Sequence, residues 1–249
     1  MPVLWEADMS FIDIIIAGWR GAFEAVKANL PIFGILLAAL AVGEMVQHIF
    51  NPISYVTQTD PVTGATITLP HINEFGLFVQ EIVFGIFYAI VSAPAMVAVH
   101  RHVLLREDGR IWENQERLVR FAGLIFGVQF VLFIVPALLA KIFAILGLVA
   151  LASFWLIGRL VPAYPAAALD NPTPLTYAWN NSKGHWWYIA GVMVVGIVPV
   201  AIVMVPLGWI ALSGNIILSA VAAIPALVYV AVGAALASEL YKKFGALTA

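Results

Sequence analysis

The run WWYIAGVMVVGIVPVAIVMV, from Trp186 to Val205, carries no charged side chain. Twenty residues wound at about 1.5 Å each make a helix about 30 Å long, the thickness of a bilayer's hydrocarbon core. The rest of the chain has the same character. Of its 249 residues 63% are hydrophobic and 10% charged, where an ordinary soluble domain is about 25% charged. A soluble fold needs a charged skin and lipid does not, so a mean hydropathy of +0.99 points to a polytopic membrane protein.

Working outward from that run, five more apolar stretches are bounded by polar or turn-forming residues. The expected spans are residues 31–50, 75–100, 118–135, 138–160, 186–205 and 216–237. The third and fourth are divided by a tight turn at Pro136 and Lys141. Pro94, Pro199 and Pro225 fall inside spans, where proline kinks a membrane helix rather than ending it.

Lys and Arg set the orientation, because cytoplasmic loops are enriched in them. Arg20 and Lys27 precede the first span, and Arg101, Arg106, Arg110, Arg117 and Arg120 separate the second from the third. Arg159 and Lys183 flank the segment between the fourth and fifth, and Lys242 and Lys243 follow the sixth. All fall on one side; of the basic residues only Lys141 falls on the other. Both termini are therefore expected in the cytoplasm. Glu6 and Asp8 stand where a cleavable signal would be basic, so the first span is expected to act as the insertion signal.

Three segments outside the spans have patterns of their own. In residues 10–30, Ile12, Ile15, Ile16, Trp19, Phe23, Val26 and Leu30 share one helical face, opposite Asp13, Arg20, Glu24 and Lys27. Ser10 with Asp13 has capping-box spacing. This reads as an amphipathic helix in the cytoplasmic interface or packed on the bundle's cytoplasmic face. In the extracytoplasmic loop 51–74, Ser54–Thr59 and Ala65–Leu69 are β-prone runs around a Pro/Gly turn, which suggests a small β-hairpin. Residues 161–185 form a cytoplasmic elbow, stopped by Pro172 and Pro174, then a second interfacial helix. The expected fold is thus an all-α polytopic membrane protein with about six transmembrane helices, two interfacial helices and a small hairpin.

The elbow carries Arg159-Leu-x-x-Pro162-Ala163, then Asp170, then Ala178-Trp179-x-x-Ser182-Lys183-Gly184. This arrangement resembles the bacterial family of YciC-like proteins and the membrane domain of glycerophosphoryl diester phosphodiesterase. Asn29-Leu30-Pro31 before the first span and Ser238-Glu239-Leu240-Tyr241-Lys242-Lys243 after the last are similar too. The resemblance implies a stand-alone module of the bacterial inner membrane. The family's catalytic activity belongs to a separate barrel, absent from these residues.

Ionisable residues inside a span are costly and mark functional sites by default. Glu44 and His48 lie near the outer end of the first span, and Gln80 and Glu81 near the outer start of the second. Equal depth would let Glu44, His48 and Glu81 converge as a proton relay or cation site, or as a hydrogen-bonded packing cluster. Arg101, His102 and Arg106 are lipid-headgroup candidates in a basic belt that snorkels to phosphates. Arg159 is expected either to pair with Asp170 across the elbow or to join Lys183 and the tryptophans at a headgroup.

Nucleophile-elbow, Walker and zinc-protease motifs are absent, and the chain has no cysteine. The expectation is a non-enzymatic protein without metal or cofactor, whose partners are membrane lipids and another protein or a second copy. Nucleic acid is excluded by a net charge of -2. An ion-coupled carrier and a lipid enzyme are the alternatives.

Overall fold

The structure, a computed structural model, describes residues 9–49, 53–59, 66–72, 74–107, 114–143, 146–211 and 220–245. Helix α1 (Phe11–Ala28) begins at Ser10, whose Oγ accepts from Asp13 N at 3.3 Å while Asp13 Oδ2 accepts from Ser10 N at 3.0 Å. The Ser10 hydroxyl also donates to Asp13 Oδ2 at 2.6 Å, and that bond, with the one from Ser10 N, holds the Asp13 carboxyl below its ordinary pKa. At the other end Asn29 is buried and folds its amide back onto Ala25 O at 3.0 Å. Helix α2 (Leu30–Ile49) then leaves at 98° to α1. Pro31 occupies its first turn, where no backbone donor is needed.

Strands β1 (Ile53–Thr59) and β2 (Thr66–Ile72) pair antiparallel, with Ile53 opposite Ile72 and Thr59 opposite Thr66. Residues 60–65 between them, the site of the expected turn, lie outside the described residues. The body of the fold is helical. Helices α3 (Glu74–Leu105), α4 (Gln115–Phe143) and α5 (Leu146–Leu160) follow, then two short helices, α6 (Ala163–Ala168) and α7 (Pro174–Asn181), within the elbow. Helices α8 (Trp186–Ala211) and α9 (Ala223–Gly245) complete the described chain.

The expected six spans are corrected. Among the described residues three helices are long and apolar enough to cross a membrane, α3, α8 and α9, or four if the bent α1–α2 pair counts as one. Helix α5 has 15 residues, about 22 Å, short of the roughly 30 Å core. Helix α4 does not turn at Pro136 and Lys141 but continues to Phe143, since a proline in a long apolar helix bends it without stopping it. Its described N-terminal part carries Glu116, Arg117 and Arg120, too many charges for lipid. The last helix starts seven residues later than expected, at Ala223 rather than residue 216. Pro225 therefore sits in its first turn and not mid-span.

The core joins α1, α2, α3, α4, α8 and α9 through small and medium apolar side chains, among them Ile14, Leu36, Val97, Phe121, Ile189 and Leu236. The exterior is apolar too: Val194, Val195, Val198, Ile202 and Val203 of α8 are uncovered, a surface that lipid tolerates and water does not.

Close approach is set by glycines. A Cβ on Gly158 would lie 2.0 Å from the Trp186 carbonyl oxygen, so α5 and α8 touch backbone to backbone. A Cβ on Gly18 of α1 or Gly196 of α8 would meet Leu236 at 2.5 and 2.6 Å. Gly123 and Gly127, spaced as a helix-packing motif, have nothing within 4 Å of an added Cβ. In a detergent melt, Gly158→Ala should be the most damaging substitution, since backbone cannot yield. Gly18→Ala and Gly196→Ala should each cost about 1–3 kcal/mol, and Gly123→Ala should be neutral. Equal melting temperatures for Gly158→Ala and Gly123→Ala would contradict this packing.

Candidate membrane-interface site

The outer polar cluster forms differently from expectation. Gly43 packs on Phe87, and the Tyr88 hydroxyl donates to Glu44 Oε1 at 3.0 Å. Glu44 thus sits opposite Tyr88. Glu81 lies seven residues earlier on α3, about 10 Å along its axis. The expectation of equal depth took the end of α2 and the start of α3 as one level, whereas Tyr88, which meets Glu44, is already four turns into α3. Gln80 Oε1 is buried without a partner. The His48 and Glu81 side chains lie outside the described residues. No group of three metal-ligating side chains occurs among the described residues.

At the opposite end of α3 the basic belt is largely turned inward. Arg101 donates to Ala168 O at 3.3 Å, pairs with Glu107, and approaches Asp170 at 3.9 Å. His102 is buried. Only Arg106 stays at the surface, in a left-handed conformation (φ 58°), paired with Glu24 of α1 at 3.3 Å. Its neighbour His100 is fully buried against Phe121. The Ser238 hydroxyl donates to Ala234 O at 3.0 Å, so at 2.7 Å it accepts from His100 Nδ1–H.

A cleft of about 280 Å³ opens beside Arg106, lined by Arg20, Gly21 and Glu24 of α1, Val103 of α3, Arg106 just beyond it, and Glu239 and Lys242 of α9. Glu239 pairs with Lys242 at 2.7 Å. Lys243 reaches across to donate to Met9 O at 2.6 Å, tying the end of α9 to the start of α1. Three cations and two carboxylates therefore share one recess.

Helix α1 roofs this cleft with a face rotated from the expected one. Ile14, Gly18, Ala22 and Ala25 are buried, and the Trp19 indole donates to Gly196 O at 3.0 Å. Ile12, Ile16 and Phe23 remain exposed. Small residues allow helices to approach closely, so the bundle takes the glycine–alanine stripe together with Ile14, half-buries Ile15, Trp19 and Val26, and leaves Ile12, Ile16 and Phe23 uncovered.

The elbow is clasped, but not by Arg159. Asp170 adopts φ 62° and receives Arg117 at 2.7 and 2.6 Å, a two-pronged pair. The Asp170 carboxylate raises the Arg117 pKa above its ordinary value. Pro162 is buried at the cap of α6. Gly184 follows α7 with φ +79°, a conformation that needs glycine, and Lys183 beside it is exposed.

Arg159 instead lies over the Trp179 ring, 4.2 Å from its centroid, and is 6% exposed. Trp155, one turn before it, meets Trp179 edge-on at 5.4 Å. Arg159 Nε has no hydrogen-bond partner, and neither has the fully buried Ser182 Oγ. No carboxylate among the described residues pairs with Arg159. Burying a guanidinium costs several kcal/mol, and a desolvated stack on tryptophan returns only about 2 kcal/mol.

Sequence reasoning missed Tyr88, Arg117 and Glu239. Arg117 stands at i+4 from Glu113, a spacing that pairs charges on a solvated helix face; Glu113 lies outside the described residues. The equivalent pair of Glu116 with Arg120 is present.

No family model matches the chain, and no curated protein and no solved structure matches it.

Asp170→Asn keeps the shape of the clasp and removes its charge. The expected loss is about 1 kcal/mol, because Asp170 is half exposed. The gap to wild type should narrow as salt rises. A variant as stable as wild type at low salt would contradict the clasp.

Proposed function

We propose that this chain is a non-catalytic protein of a bacterial inner membrane that engages phospholipid headgroups at its cytoplasmic face. It would serve there as an accessory or organising subunit in lipid or envelope homeostasis. The observation that carries this reading is the recess under α1. Arg20, Arg106 and Lys242 come from three separate parts of the sequence and line one cleft, at the ends of two helices apolar enough to cross a membrane. Cations gathered at one end of a bundle favour contact with anionic lipid surfaces. They also favour the orientation that places this end in the cytoplasm. Glu24 and Glu239 pair with Arg106 and Lys242 in the same recess and orient the two cations.

The resemblance to YciC-like proteins and the phosphodiesterase membrane domain belongs to this proposal, and agrees with a module lacking chemistry of its own. The carrier reading depended on Glu44, His48 and Glu81 meeting. Glu44 meets Tyr88, which favours helix packing, and the His48 and Glu81 side chains lie outside the described residues.

Because the chain has no cysteine, single cysteines report sidedness cleanly. Thr63→Cys should react with a membrane-impermeant maleimide in intact cells, and Lys183→Cys only after permeabilisation. The reverse pattern contradicts the orientation. Extraction into polymer-bounded lipid discs should recover anionic phospholipid enriched over the bulk membrane, less so for Arg106→Gln. Co-extracted lipid of bulk composition would count against headgroup engagement.

A further inference from the structure

Three independent features meet where α5 runs into the elbow. The first is Arg159, a cation nine-tenths buried, with a stacked face and no carboxylate partner among the described residues. A guanidinium stacked on an indole is engaged through its face, and its N–H donors remain free in the plane, at the edge. The second is Ser182, fully buried with its hydroxyl unpartnered, one turn beyond Trp179 on the same side of α7. The third is the start of α8. Gly158, next to Arg159, touches the Trp186 backbone, so the backbone of α5 at this point lies beside the N-terminal end of a 26-residue helix, an end that favours negative charge.

Buried polar groups in native proteins are satisfied. A cation and a hydroxyl left open together, beside a helix N-terminus, lack one thing, an oxyanion with several acceptor oxygens. A carboxylate from the chain would satisfy the guanidinium, and Asp170 is the candidate the sequence offers. Asp170 is committed to Arg117 and Arg101. No carboxylate among the described residues takes the guanidinium, which leaves the position open to an acceptor from outside the chain. Phosphate and carboxylate both suit the planar donor edge, and phosphate has a third oxygen for the hydroxyl.

We propose that Arg159 and Ser182 bind a phosphate group, carried by a phospholipid headgroup or by free phosphate, against the wall formed by Trp155 and Trp179. The site is distinct from the cleft under α1, and it rests on the headgroup reading only for the lipid as the phosphate's source. Trp179 acts as a positioning residue, fixing the plane of the guanidinium.

The test is titration of the full chain in dodecylmaltoside with dihexanoyl phosphatidylglycerol and, separately, inorganic phosphate, followed by calorimetry. Wild type should bind saturably. Arg159→Gln should weaken binding at least about tenfold, as expected for loss of charge-assisted bonds. Ser182→Ala should weaken it about fivefold without lowering the melting temperature of the ligand-free protein, because it removes only an unpartnered hydroxyl. That second variant keeps the proposal testable should Arg159→Gln fail to fold. Binding of phosphatidylglycerol but not inorganic phosphate assigns a lipid source, and equal binding of both assigns free phosphate; either supports the site. Unchanged affinity in Ser182→Ala and in a folded Arg159→Gln overturns it. If Arg106→Gln alone then loses phosphatidylglycerol binding, the headgroup reading stands without this site. A wild type that binds neither probe also overturns the proposal.

Discussion

Leu236 is held between two glycines, and the arrangement of the cationic end of the bundle depends on that contact. The side chain is fully buried and fills space that a methyl group on either Gly18 of α1 or Gly196 of α8 would occupy. It therefore fixes α1 against α8 and α9 at a separation only glycine allows. The Trp19 indole on Gly196 O and the Lys243 ammonium on Met9 O hold the same helix at two further points. With α1 so placed, the 98° turn at Asn29 sends α2 down beside α3, and the cleft between Arg20, Arg106 and Lys242 follows.

The same contact divides the surface of α1. Ile14 and the small residues pack on protein, while Ile12, Ile16 and Phe23 are exposed on one side and Asp13, Arg20 and Glu24 on another. Nothing in an apolar–polar division of the sequence separates the first group from the second, because both count as apolar. The periodicity of residues 10–30 thus revealed the helix and its cap and left open which of its apolar residues face the bundle.

Other elements were legible to similar depth. Long uncharged runs mark α3, α8 and α9, since bilayer thickness imposes length. The division of the apolar stretch 118–160 was not legible, because Pro136 and Lys141 look like a turn yet sit within one helix. At the site, the one-sided distribution of Lys and Arg foretold a cationic end. It could not say which cations would be spent internally: Arg101 and Arg117 clasp the elbow through Asp170, and Arg106 pairs with Glu24. Those partners lie 53 or more residues away in sequence. Arg159, expected to hold Asp170, is left against Trp179 for the same reason, since nearer cations already hold that carboxylate.

The central claim is that α1 lies in the membrane plane with its three faces divided among protein, lipid and water. Spin labels on single cysteines at 12, 13, 16, 20, 23 and 24, in reconstituted vesicles, report local exposure to oxygen and to a water-soluble nickel complex. The account predicts that labels at 12, 16 and 23 relax with oxygen, and those at 13, 20 and 24 with nickel. Equal nickel accessibility at all six positions would contradict it.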